Sequence, residues 1–175
     1  NTVKKDTADH HIPTSIQPQS AANSIDNEQE INVRSADSPF RTIPPAFPAP
    51  ERALAAVDSA LSQKGLDVRA YDVRGISSIT DYIVVVSGTS ERHVNGLGEK
   101  LRAKMKEYKE TPIGTSNGDS SQWIVLDYGD LMIHVFFEPT RQYYEFDALW
   151  QKAVLLELPE ELRRVSDKFR TGIYR

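Results

Sequence analysis

The 175-residue chain contains no cysteine, which excludes disulfide frameworks, thiolate nucleophiles and cysteine-ligated metals and fits a reducing compartment. It has no apolar run approaching the roughly 20 residues that a bilayer crossing needs. It also shows no charged-then-apolar leader, so a soluble protein with no membrane partner is expected. Basic excess is missing as well: 21 Lys and Arg stand against 25 Asp and Glu, a net charge of −4. That balance excludes a general nucleic-acid binder, whose electrostatic footprint is strongly positive. It suits a basic partner instead, such as a cationic protein embedded in an RNA assembly. The length allows one ordinary domain with extensions.

Residues 1–49 lack glycine and have only two aromatics, Phe40 and Phe47, while seven of the ten prolines fall in the first 50 positions. Apolar residues are scattered there without period, and Ile43 to Pro50 reads IPPAFPAP, an extended or polyproline-like string. Such a segment cannot bury enough surface to offset its backbone entropy, so residues 1–49 are expected to be a disordered tail. Its acids Asp6, Asp9, Asp26, Glu28, Glu30 and Asp37 outnumber its bases, unlike a transit peptide. The adjacent His10 and His11 carry no further metal-ligating pattern.

Order is expected from Pro50. PERALAAVDSALSQKG places proline and glutamate in a first helical turn and Gly65 at the C-cap. Asp67–Val73 reads as a short strand. Asp81–Gly88 reads as a strand buried on both faces, because Ile83, Val84, Val85 and Val86 are continuous. Ser90 then caps an amphipathic helix carrying Val94, Leu97, Leu101, Met105 and Tyr108 at steps of three and four. After a hairpin, RQYYEFDALWQKA reads as a helix ending near Ala153, and Pro159 opens a last one bearing Leu162, Val165 and Phe169. The pattern is α/β (α+β), a mixed β-sheet with flanking helices. The domain is expected over 50–153, with a helical extension over 154–175.

The hairpin SQWIVLDYGDLMIHVFFE is the richest segment. A two-residue Tyr128-Gly129 loop would set Asp127 opposite Asp130 and Trp123 opposite His134, although Tyr128 fits poorly the positive φ such a turn requires. Alternate residues share a face. One face is then aliphatic: Ile124, Leu126, Leu131, Ile133 and Val135. The other holds Trp123, Val125, Asp127, Asp130, Met132, His134 and Phe136. This second face reads either as another core layer under a helix or as an exposed patch that docks a partner, with Trp123 as anchor.

Enzymatic signals are sparse. His93 and His134 lack the i+4 companion of a helical zinc site, and Asp127 and Asp130 are explained by turn chemistry before a divalent ion is invoked. SGTSERH follows a buried strand where a helix begins, a geometry that can bind anions. It resembles the nucleotide-cradling loop of nucleotidyltransferases, but the following strand has no Asp-x-Asp pair and the loop has no Gly-Lys-Ser/Thr.

Three blocks, SSITDYIVVVSGTSERHV, WIVLDYGDLMIHVF and RQYYEFDALW, resemble in order and spacing the signatures of the ribosomal silencing factor S (Iojap-like) family, over about Leu54 to Lys152. The resemblance implies a nucleotidyltransferase-like fold without catalytic carboxylates, no enzymatic activity and no cofactor or metal. It implies binding to the large ribosomal subunit through its fourteenth numbered protein on the intersubunit face. Small-subunit joining is thereby blocked, and translation falls when nutrients are limiting. The resemblance carries over Trp123, Asp127, Asp130 and His134, and together with Val125, Met132 and Phe136 of the same hairpin face these are the expected partner contacts. Asp81, Gly88, Ser90, Arg141, Tyr144 and Trp150 match other motif positions, where Tyr144 and Trp150 are expected to pack and Arg141 to pair with a sheet carboxylate such as Asp81. Gly129 also matches.

A cytoplasmic, bacterial-type location follows from the resemblance, or an organellar one if the tail is the remnant of a targeting segment. Departures are Asn117 where the family has Glu, which removes one carboxylate from the partner side, and Phe146-Asp147 where it has Leu-Glu. A minor contact with ribosomal RNA accompanies this reading. Two alternatives stand beside it: a nucleotidyltransferase-like nucleotide-binding enzyme and a homodimer through the same patch.

Overall fold

The computed structural model describes residues 47–117 and 122–170. The segment 1–46, with the His10-His11 pair, lies outside the described residues, as do 118–121 and 171–175. The first helix, α1, spans Ala49–Ser62, with Pro50 in the first turn, where no N–H is required, and Glu51 beside the positive helix end. Ahead of Pro50, Phe47 packs edge-on against Tyr108 with ring centroids 4.9 Å apart. Past the helix Lys64 takes φ 60° and the Gly65 N–H returns to the Ala60 carbonyl at 2.9 Å. A Cβ on Gly65 would lie 2.5 Å from a Val86 methyl, so only glycine lets the chain enter the sheet this closely.

The remaining elements are β1 (Leu66–Asp72), β2 (Tyr82–Gly88), α2 (Glu91–Glu107), β3 (Gly114–Asn117), β4 (Trp123–Asp127), β5 (Leu131–Phe137), α3 (Glu138–Tyr143), a 3-10 helix (Phe146–Trp150), β6 (Val154–Leu155) and α4 (Glu160–Arg170). The sheet order is β3-β4-β5-β2-β1-β6. Among the described residues, only β2 and β5 pair in parallel, and the other neighbouring pairs are antiparallel. The sheet is thus mixed, as expected, and β2 is buried along its whole length. Among the described residues, no helix is long and apolar enough to cross a membrane.

Two layers cover the sheet unequally. Buried residues of α1 (Ala53, Ala56, Val57, Ala60, Leu61) and α2 (Val94, Leu97, Leu101, Met105) meet Ile124, Leu126, Leu131, Ile133 and Val135 in one large core, joined by Leu162, Val165 and Phe169 of α4. Each fully buried aliphatic there contributes roughly 2 kcal/mol from water exclusion. The other face holds a smaller cluster of Tyr71, Val73, Ile83, Val85, Phe136 and Phe146, edged by Trp123, Met132, Trp150 and Ala153.

The hairpin register departs from the Asp127–Asp130 pairing. Asp127 faces Met132, Val125 faces His134, and Trp123 faces Phe136 rather than His134. The Tyr128 N–H donates to the Leu131 carbonyl at 2.9 Å, so the loop is Gly129-Asp130, with Gly129 at φ 86°. Glycine takes the left-handed position that tyrosine would resist, and Tyr128 is freed to enter the large core. The shift is two residues in register, an even number, so the partition into faces survives.

Three further differences have local causes. The single helix expected through Ala153 is broken at Glu145, which sits at φ 48° between α3 and the 3-10 helix. β3 is an exposed edge strand of Gly, Thr and Ser without apolar alternation, so no pattern announces it. β6 is only two residues long, too short for period to show, and pairs with Tyr71 and Asp72.

Candidate functional site

Trp123 stands on β4, whose neighbour β5 places Phe136 directly beneath it; the two rings stack at 4.7 Å and 23°. The indole Nε1–H donates to Nδ1 of His134 at 3.2 Å, which assigns the imidazole hydrogen to Nε2. Phe146 meets Trp123 edge-on at 6.2 Å, and Tyr144 lies 5.5 Å away. Tyr143 in turn sits at 5.1 Å and 83° from Tyr144. One aromatic surface therefore runs from the sheet onto the helical connection that follows it.

Burial divides the expected contact residues. Trp123, Val125, Asp127 and Met132 are half-buried and reachable from solvent. Phe136 is 0% exposed and His134 8% exposed, so neither offers itself to a partner. Both were expected as contacts: the alternation placed them on the right face, but Phe146 packs over them, at 5.0 Å from Phe136 and 4.7 Å from His134. Burial pushes the His134 imidazole down to about 4, so it is neutral near pH 7.

Asp130 is likewise not on this face. Its carboxylate meets the guanidinium of the fully buried Arg52 of α1 at 2.5 Å, on the opposite side of the sheet, because the turn lies one residue later than Tyr128-Gly129 would place it. Asp127 accepts the Gly129 N–H at 2.8 Å and shapes that turn.

Tyr144, expected to pack, does so on one side, against Trp123 at 5.5 Å, and is still 54% exposed, while Tyr143 is 81% and Leu149 69% exposed. Sequence reasoning missed Tyr143 and Leu149; the available signal was a pair of adjacent tyrosines and a leucine in a segment too short and too bent to bury all of them. Trp150 does pack, against Phe146 at 6.3 Å.

Arg141 holds this connection in place. It pairs with Asp147 (2.8 and 2.9 Å), not with Asp81, and donates to the Asp67 carbonyl at 2.8 Å and to Ser87 Oγ at 3.1 Å. Asp67 lies at a bulge in β1 with φ 45°, which disposes its carbonyl toward the guanidinium. Burial disfavours the Asp147 carboxylate, but the hydrogen bonds and charge of Arg141 hold it below the usual range. Around this pair opens a cavity of about 460 Å³ lined by Asp67, Glu138, Glu145 and Asp147, with Gln142 and Gln151. Asp67 and Asp147 are paired with Arg69 and Arg141, so the acidic character of this flank comes from Glu138 and Glu145.

The SGTS loop is occupied with its own chemistry. Ser90 Oγ accepts the His93 N–H at 3.1 Å as an N-cap, the Thr89 N–H donates to His93 Nδ1 at 3.1 Å, and His93 Nε2 meets the Gln63 carbonyl at 2.9 Å. Gly88 is packed on Val94, which leaves 3.0 Å for a Cβ. Among the described residues, no three of His, Cys, Asp and Glu gather as a metal-holding group.

Comparison with known proteins identifies the family of the chain. The family model described as ribosomal silencing factor during starvation matches residues 46–172, a span that takes in most of the C-terminal extension. The ribosomal silencing factor RsfS of Haemophilus influenzae is 34% identical over 87 residues, covering 50% of this chain and 85% of that protein. The chloroplastic protein Iojap of Zea mays is 23% identical over 112 residues, covering 64% of this chain and 49% of its own. A crystal structure from Chromobacterium violaceum superposes with a TM-score of 0.57 at 29% identity, covering 59% of this chain and 87% of that one.

Proposed function

Because the chain belongs to the ribosomal silencing factor family, we propose that it represses translation by seating its aromatic surface on the fourteenth numbered protein of the large ribosomal subunit. Seated on the intersubunit face, it blocks the small subunit sterically, without turnover, when nutrients are limiting. The observation that carries this reading is the half-exposed Trp123, stacked on a buried Phe136 and continuous with the exposed Tyr144. An aromatic centre with a charged rim is the ordinary anatomy of a protein interface. The rim here is acidic, through Glu138, Glu145 and Asp127, which complements a basic ribosomal protein and steers encounter.

A sucrose gradient of purified ribosomal subunits tests the proposal. With the protein present, joined ribosomes should decrease and the chain should migrate with the large subunit. Trp123→Ala should weaken that comigration by about thirtyfold, the effect of losing about 2 kcal/mol at an interface centre. A chain that stays at the top of the gradient, with subunit joining unaffected, refutes it.

A further inference from the structure

The geometry points to His134 as a positioning residue that acts through Trp123: its Nδ1 lone pair fixes the orientation in which the indole is presented to the large subunit. This rests on Trp123 being the docking anchor. The indole has a floor, Phe136 stacked beneath it at 4.7 Å, and side contacts with Phe146 and Tyr144, but rings alone permit sliding and flipping. Its single polar group, Nε1–H, is tied at 3.2 Å to His134. Flipping the indole by half a turn would carry that N–H away from its acceptor, so the bond selects one of two sterically similar states.

His134 cannot itself touch a partner, being buried under Phe146. It is in turn held by its place on β5, between β4 and the fully buried β2, opposite Val125 and Val85. The acceptor is thus rigid and the donor half-exposed. Such preorganisation removes the entropy otherwise lost when a large side chain is immobilised on binding. A histidine in an apolar cluster, aimed at a half-buried indole on the boundary of core and surface, has a reason to be histidine rather than leucine.

The test compares His134→Phe, which retains a ring but offers no acceptor, with His134→Asn, whose Oδ1 stands where Nδ1 stood. Pelleting titrations with purified large subunits should show roughly fivefold weaker binding for His134→Phe, the loss of one hydrogen bond, and near-native binding for His134→Asn. In nitrogen NMR of the wild-type protein, Nδ1 should have the shift of an unprotonated ring nitrogen, and the Trp123 indole hydrogen should exchange slowly. The opposite tautomer, or a freely exchanging indole hydrogen, overturns the assignment even if a variant fails to fold. Native binding by His134→Phe, or binding by His134→Asn as weak as that of the Phe variant, overturns it too. If Trp123→Ala binds poorly while His134→Phe binds normally, positioning alone falls; if both bind normally, the docking surface itself is wrong.

Discussion

Acidification should destabilise the fold through one side chain before the carboxylates are reached. Burial lowers His134 from an ordinary 6.5 to about 4. In the unfolded chain the imidazole takes a proton as the pH falls through 6.5; in the folded chain it resists until about 4. Between those values the unfolded state binds more protons, so stability is fully present above pH 6.5 and drains away as pH drops. A single site with these two values gives up about 2 kcal/mol between pH 7.5 and pH 5, and about 3 kcal/mol once pH passes below 4. Protonation would also put a hydrogen on Nδ1, facing the indole N–H, so two donors would meet where one bond now stands.

Urea denaturation followed by circular dichroism at pH 7.5, 6 and 5 supplies the measurement. His134→Asn is the control, since it cannot titrate. Carboxylates such as Asp147, held low by Arg141 against the effect of burial, ionise below this range and are common to both proteins. The difference between wild type and variant should therefore fall by about 2 kcal/mol from pH 7.5 to pH 5. Parallel stability curves over that range would show that the imidazole is not held neutral, and would remove the premise that it serves as an acceptor.

Two further substitutions separate scaffold from surface. Arg141→Gln leaves Asp147 with Arg69, at 3.4 Å, as its cation and the Asp67 carbonyl without its donor, and should lower stability by about 2 kcal/mol in thermal denaturation, the loss of charged hydrogen bonds. An unchanged melting temperature would mean that Arg69 and Tyr71 hold Asp147, and with it the 3-10 helix, without Arg141. Tyr144→Ala with Leu149→Ser should do the reverse: folding stability within about 0.5 kcal/mol of wild type, as for exposed sites, and reduced comigration with large subunits. Full retention of comigration would restrict the docking surface to the sheet.

The outline of the fold was legible because periodicities were strong. Ile83 to Val86 announced a strand buried on both faces, and Val94, Leu97, Leu101 and Met105 announced the helix covering it. The division of the hairpin into two faces was legible too, and it survived a wrong turn. Moving the loop from Tyr128-Gly129 to Gly129-Asp130 slides the register by two, and a sheet has period two. The turn residue itself was partly readable, since a tyrosine at positive φ was already a poor choice. Asp130 was lost to the site because a charge beside a turn can meet either face, and its partner Arg52 lies 78 residues away. Likewise, nothing local says that Arg141 will choose Asp147 over Asp81.

The sequence left the second face open between core layer and exposed patch, and the sheet order makes one part of it each. The cover on that face is short: α3, a left-handed residue and five residues of 3-10 helix. It packs on Tyr71 of β1 and Val73 just past its end, Ile83 and Val85 of β2, and Phe136 of β5, the middle of the sheet. β4 and β3 lie beyond β5, toward the edge, where this cover ends. A residue on β5 such as Phe136 is therefore sealed, while its cross-strand partner Trp123 on β4 has one side in the core and the other open. Neighbouring strands differ in exposure because the lid is narrower than the sheet. The position best placed to be both rigid and reachable is the one at the boundary, and the bulkiest residue on this face occupies it.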